Sequence, residues 1–254
     1  MKLFYRTVGQ GQPIIILHGL LGSCDNWLTI SKSIADQGYA VYALDQRNHG
    51  RSPRSDIFDY EAMAADLHEF IEEHSLEKPI LIGHSMGGKT VMNYAVRYAG
   101  TFSKLVIVDI SPKQYEVHQE KILAGLNAIK LSTLQNRNEA DTILSNYETN
   151  PGVRQFLLKN LYRNDQNQFD WRISLPVIER NITGIGAAVP ALRTVSEPTL
   201  FMRGALSNYV LETDISGLKT IFVNAQLDTI AGASHWIQAE QPESFLKSLM
   251  NFLE

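Results

Sequence analysis

Cys24 is the only cysteine in 254 residues, so no disulfide can close within the chain and the small disulfide-stapled scaffolds are excluded. A lone thiol fits a reducing compartment, and the cytoplasm is the expected location. Runs of positive charge are also missing. No stretch of Lys and Arg exceeds two residues and the net charge is -4, which leaves no basic face for a phosphate backbone or an anionic lipid surface. Nucleic acid is therefore not an expected partner. Long hydrophobic runs are absent too. No window approaches the roughly 18 apolar residues of a membrane span, and the early run at 14–17 meets His18 and Gly19 at once. It is too short for the apolar core of a signal peptide and reads as a strand. There is no internal repeat, no low-complexity tract, no HExxH and no Cys/His cluster, so neither a metal nor a cofactor is expected.

What is present is an ordinary globular composition, 44% hydrophobic and 20% charged with 17 Gly and 9 Pro. A chain of this size buries roughly 70–75% of its unfolded surface and needs no staple. Short runs rich in Val, Ile and Tyr alternate with segments of helical period, the pattern of βαβ units around a mainly parallel sheet. Strands are expected at residues 3–8, 14–18, 40–45, 79–83, 105–109, 199–203 and 220–223, and covering helices at 57–73, 86–98 and 243–253. Between 111 and 196 the alternation stops. Helical patterns at 119–130, 139–147 and 153–162 fill this stretch with no internal strand, and the sheet resumes directly after it. The expectation is one structural unit, with residues 1–110 and 197–254 forming a core and residues 111–196 inserted into it.

The stretch Gly83-His84-Ser85-Met86-Gly87 follows the strand PILI and opens the helix KTVMNYAV. A serine lifted by a sharp strand-to-helix turn needs neighbours two positions away that lack a Cβ, and Gly83 and Gly87 stand there. Earlier, the strand IIIL ends in His18-Gly19-Leu20-Leu21-Gly22, a loop at the same sheet edge that can aim a backbone N–H. Acyl transfer needs two such donors where the carbonyl oxygen becomes an oxyanion, and Leu20 and Met86 are the candidates. The bland alternative for His18 and its glycines is a tight βα turn.

Of seven histidines, His235 in Gly232-Ala233-Ser234-His235-Trp236 is the candidate base, because it lies after the last strand and before the final helix. His68 and His74 read as solvated helix residues, His118 lies in the insertion, His84 should point away from the hydroxyl, and His18 and His49 belong to turns. An acid should fall between Ser85 and His235 in chain order, and the residues leave two places for it. The loop after TLFMR, residues 204–208, holds no Asp or Glu before Glu212 and Asp214. The strand LVIVDISP ends in Asp109, costly if buried without partners and so open to a functional reading, although a turn or helix-cap role fits as well. Lys89 reads as a helix-surface residue. Phe156, Leu157 and Trp171 in the insertion, with Trp236, are candidates for an acyl pocket, with ordinary packing an equal reading for those in the insertion.

HGLLG, DQRNHGRSP, GHSMGGK, LVIVDISP, FLLKNLYR and GASHW, in this order and across nearly the whole chain, resemble the α/β-hydrolase fold superfamily, most closely its YbfF-like esterases related to abhydrolase domain-containing protein 11. The resemblance implies an α/β-hydrolase fold with helices on both faces of the sheet and a helical cap at 111–196. It also implies that the aspartate of the IDIAP-type segment, here Asp109, serves as the acid, whereas most of the superfamily carries it after the strand that here reads TLFMR. Many relatives have Gly where Asn48 stands, a small change since Asn tolerates the left-handed conformation.

These readings converge on a serine hydrolase with Ser85 as nucleophile, His235 as base and Asp109 orienting it. The expected partner is a small or medium acyl ester or thioester. Carbon–carbon bond hydrolysis or a lyase-like elimination on the same residues is the runner-up, and a ligand receptor that keeps the triad is the non-enzyme rival. A dehalogenase is excluded because its elbow nucleophile is an aspartate.

Overall fold

Interior strands that are apolar at every position send alternate side chains to opposite faces, and both faces must then be covered. The computed structural model describes residues 1–254 and meets that demand with a seven-stranded sheet. Its strands are β1 (Tyr5–Val8), β2 (Gln12–Leu17), β3 (Tyr39–Leu44), β4 (Ile80–His84), β5 (Lys104–Val108), β8 (Thr199–Gly204) and β9 (Ala225–Ile230). The order is β1-β3-β2-β4-β5-β8-β9, parallel throughout except for β1, which pairs antiparallel with β3. Ile15, Leu17, Leu81, Leu105, Ile107 and Phe201 pack on one face against α2 (Tyr60–Glu73), α3 (Met86–Arg97) and α8 (Ile215–Ile221). Ile14, Ile16, Ile80, Ile82, Val106 and Val108 pack on the other against α1 (Leu28–Ala35) and α10 (Pro242–Leu253), with α9 (Ile237–Glu240) between the last strand and α10.

Between β5 and β8 the chain forms α4 (Glu120–Ala128), α5 (Arg137–Leu144), α6 (Pro151–Leu158), β6 (Leu161–Arg163), β7 (Phe169–Trp171) and α7 (Leu175–Ile185). Local chemistry starts these helices: Asn136 accepts from the Glu139 N–H, Asn150 accepts from the Gly152 and Val153 N–H groups, and Pro151 and Pro176 stand in the first turns of α6 and α7. The segment has its own apolar cluster, which also takes in Leu21, Phe58, Tyr60, Met63 and Met86 from the core. No helix is long and apolar enough to cross a membrane.

Two expectations fail here. Residues 220–223 are not a strand but the end of α8 and the turn after it; the strand is β9, an edge strand whose exposed Gln226 and Thr229 and half-buried Asp228 interrupt the apolar run that marks interior strands. The insertion also contains a hairpin, β6–β7, with Leu161 opposite Trp171. Its three-residue strands are too short to register as alternation, and Leu161 and Tyr162 extend the period of α6 past its true end.

Phe245 of α10 is fully buried and meets Trp27 edge-on with ring centroids 6.0 Å apart. Phe245→Ala should cost about 3–5 kcal/mol in urea unfolding without altering the far-UV spectrum of the folded protein.

Candidate active site

The β4–β5 register pairs His84 with Val108, so the next residues on each strand, Ser85 and Asp109, leave the carboxyl edge side by side. Both turn sharply there, with φ of 52° at Ser85 and 49° at Asp109, in the region non-glycine residues rarely occupy. The Ser85 turn closes only because glycines flank it. A Cβ at Gly83 would stand 2.3 Å from the Gly87 carbonyl oxygen, and one at Gly87 would stand 2.3 Å from that of Leu17.

Asp109 has no exposed surface. Its Oδ2 accepts from His235 Nδ1–H at 2.8 Å and from Ser207 Oγ–H at 2.5 Å, and its Oδ1 accepts from Gly204 N–H at 3.1 Å. Three donors thus compensate the buried carboxylate. Glu212 and Asp214 go elsewhere: Glu212 is 3.8 Å from Arg203, and Asp214 accepts from Lys113 at 2.7 Å and from Leu211 N–H at 3.0 Å. Asn208 is exposed.

The His235 loop is braced from three sides. The Tyr209 ring stacks on the imidazole at 4.2 Å and 21°, His84 Nε2–H donates to the His235 carbonyl at 2.9 Å, and Glu240 accepts from the Ser234 N–H and hydroxyl and from the Trp236 N–H. Ser85 and His235 face one cavity of about 890 Å³, with no hydrogen bond between them. Such contacts tighten when a substrate is bound. Leu20 and Met86 line the same cavity, and the Leu20 N–H donates to no protein acceptor. Met86 is the first residue of α3, where an N–H has no partner within the helix.

Over residues 12–242 the chain matches the family model described as alpha/beta hydrolase fold. The protein belongs to the α/β-hydrolase family. This hydrolase is 36% identical to esterase YbfF of Escherichia coli (strain K12), over all of its own length and 99% of the relative's. It is 36% identical to the sn-1-specific diacylglycerol lipase ABHD11 of Mus musculus, covering 94% of this chain and 80% of that one. Among solved structures it superposes on a marine microorganism esterase with a TM-score of 0.96 and 43% identity, over 99% of both chains. The family is of the esterase and lipase type.

The remaining candidates divide. Phe156, Leu157 and Trp236 of the hydrolase line the cavity, and the Phe156 and Trp236 rings lie 5.8 Å apart. Trp171 does not line it. It is buried in the insertion's own apolar cluster, and its carbonyl accepts from Arg54 at 2.6 Å, because strand pairing with Leu161 sets it in the packing. His18 and His49 serve the backbone. His18 takes the Gln46 N–H at 3.0 Å, His49 takes the Leu21 N–H at 3.1 Å, and burial pushes them down to about 4 and about 3, so both stay neutral. Asn48 adopts φ of 65° and exchanges two hydrogen bonds with Ser55.

His84 lines the cavity beside His235, held down to about 3 by burial and then by repulsion from His235. Two expectations are corrected. His68 and His74 are half-buried, His68 stacked on Tyr98 at 4.1 Å and His74 against Phe70 at 4.3 Å. Lys89 is 1% exposed. Sequence reasoning missed Ser207 and Tyr209, which lie where most of the superfamily carries its acid; only the absence of a carboxylate there hinted that something else would support Asp109.

Burial, followed by repulsion from Lys113, pulls the Lys89 amine from the ordinary 10.5 to about 7. Between those values the unfolded chain binds a proton that the folded one does not, so this residue's contribution to stability improves as pH rises. In urea unfolding from pH 7 to 10, the stability of the wild type relative to Lys89→Met should therefore increase with pH.

Proposed function

We propose that the protein is a serine carboxylic-ester hydrolase acting on small to medium acyl esters or thioesters. The observation that carries this reading is the 2.8 Å hydrogen bond from His235 to a fully buried Asp109, beside a strained serine on the wall of the same cavity. The printed names of the relatives, esterase and diacylglycerol lipase, support the same chemistry.

In this mechanism His235 removes the Ser85 hydroxyl proton as Oγ attacks the acyl carbon, and Asp109 stabilises the imidazolium and holds its tautomer. The oxyanion is met by the N–H groups of Leu20 and Met86. The imidazolium then protonates the departing alkoxide or thiolate, leaving the acyl group on Ser85. Water enters, His235 takes its proton, and collapse of the second tetrahedral intermediate frees the carboxylic acid and restores the serine. The insertion, residues 111–196, acts as the cap over this cavity, with Phe156, Leu157 and Trp236 beside the acyl chain.

Ser85→Ala should abolish turnover of aryl acyl esters by several orders of magnitude at nearly unchanged thermal stability, and a fluorophosphonate should label the wild type at Ser85 alone. Labelling at another residue would remove Ser85 from its role. Multiple turnovers on simple esters separate this reading from a receptor, and a series of acyl lengths on oxygen and coenzyme A thioesters identifies the leaving group.

Asp109→Asn should lower kcat by about 10⁴, with Glu212→Gln and Asp214→Asn mild. The reverse pattern in steady-state kinetics would move the acid to the loop after β8.

A further inference from the structure

Lys89 is a buried amine that the proposed reaction does not use. It lies on α3 one turn beyond Ser85, and its Nζ donates to the carbonyls of Lys113 at 2.5 Å, Ala187 at 2.7 Å and Pro112 at 3.4 Å. An ammonium has three N–H bonds, so every donor ends on main chain and none remains for a ligand anion. Pro112 and Lys113 lie on the segment that leaves β5 for the insertion, and Ala187 lies on the segment that returns towards β8.

These crossing segments also hold each other. Tyr115 N–H donates to the Gly186 carbonyl and Val189 N–H to the Pro112 carbonyl, both at 2.8 Å. The approach needs glycine at 186, since a Cβ there would stand 2.2 Å from the Tyr115 carbonyl oxygen. The Tyr115 ring covers the amine, its centroid 5.1 Å from Nζ. Tyr115, Val117, Ile185 and Gly186 are themselves cavity wall. Other polar ties reach the insertion from elsewhere, such as Tyr60 to the Ile185 carbonyl and Asn160 to that of Leu21, but from α3 Lys89 alone reaches it.

We propose that Lys89 is a specificity-determining positioning residue: by bonding both crossing segments to the helix that begins at the nucleophile, it sets where the insertion's wall stands relative to Ser85 and so which acyl lengths fit. This rests on the ester-hydrolase reading above. An amine set against three carbonyls on both segments holds two strands of backbone at one distance from α3, which apolar packing alone does not specify.

The test is Lys89→Met, which keeps the length of the stem and removes the donors. With aryl esters from acetyl to octanoyl, the wild type's preference for its best chain length over acetyl, as a kcat/KM ratio, should shrink about tenfold, carried by KM. Fluorophosphonate titration should count the same fraction of reactive sites in both proteins, and Lys89→Gln, with two N–H donors, should lie between them. A ratio unchanged within about twofold, with only stability lowered, overturns the proposal. Should Lys89→Met not fold, amide exchange of the wild type decides it: the Tyr115 and Val189 amides should exchange as slowly as those of β5, and fast exchange overturns it. The exchange measurement also stands if no ester is turned over and Ser85 is not labelled, the outcome that defeats the ester-hydrolase reading instead.

Discussion

A carboxylate without solvent is the most demanding group in this molecule, and the arrangement at the sheet edge follows from satisfying it. Asp109 draws one donor from the end of β8, one from the loop after it and one from the loop after β9, through Gly204, Ser207 and His235. Losing any one leaves part of a buried charge uncompensated, which costs more than the hydrogen bond itself contributes. The ends of β5 and β8 and the loop after β9, distant in sequence, are thereby held to one point. The imidazole is held there by its Nδ1 against the carboxylate.

The histidines show how burial separates roles that residue type leaves equal. His18, His49 and His84 are fully buried, driven to the neutral form, and used as fixed hydrogen-bonding pieces of the surrounding loops. His68 and His74 are absorbed into aromatic packing. His118 is exposed beside Glu116. Only His235 combines a cavity position, a carboxylate behind it and an aromatic ring stacked on its face.

The same contrast separates the readings that held from those that did not. The interior strands and the helices α2, α3 and α10 are legible because each carries a long apolar pattern of one period, which local sequence states completely. β9 and the β6–β7 hairpin are not, since an edge strand and three-residue strands take their shape from neighbours rather than from their own pattern. Trp171 and Lys89 fail for a related reason. An apolar residue in the insertion can face the cavity or the packing, and a lysine four residues past Ser85 can face water or the crossing segments, with the same sequence around it.

By itself, the sequence determined the parallel sheet, the elbow at Ser85 and the short set of candidate groups at the sheet edge, because these depend on spacing along one chain: glycines two positions either side of a serine, a loop after a strand, an aspartate closing a run of valines. The tertiary structure decided which of those groups meet. The pairing of His84 with Val108 sets Ser85 beside Asp109, and the fold carries His235 across 126 residues to the same carboxylate. It also decided that Lys89 is buried beneath both crossings of the insertion. Contacts between groups so far apart in the chain are set by sheet order and by the satisfaction of buried charge, and no local pattern encodes either.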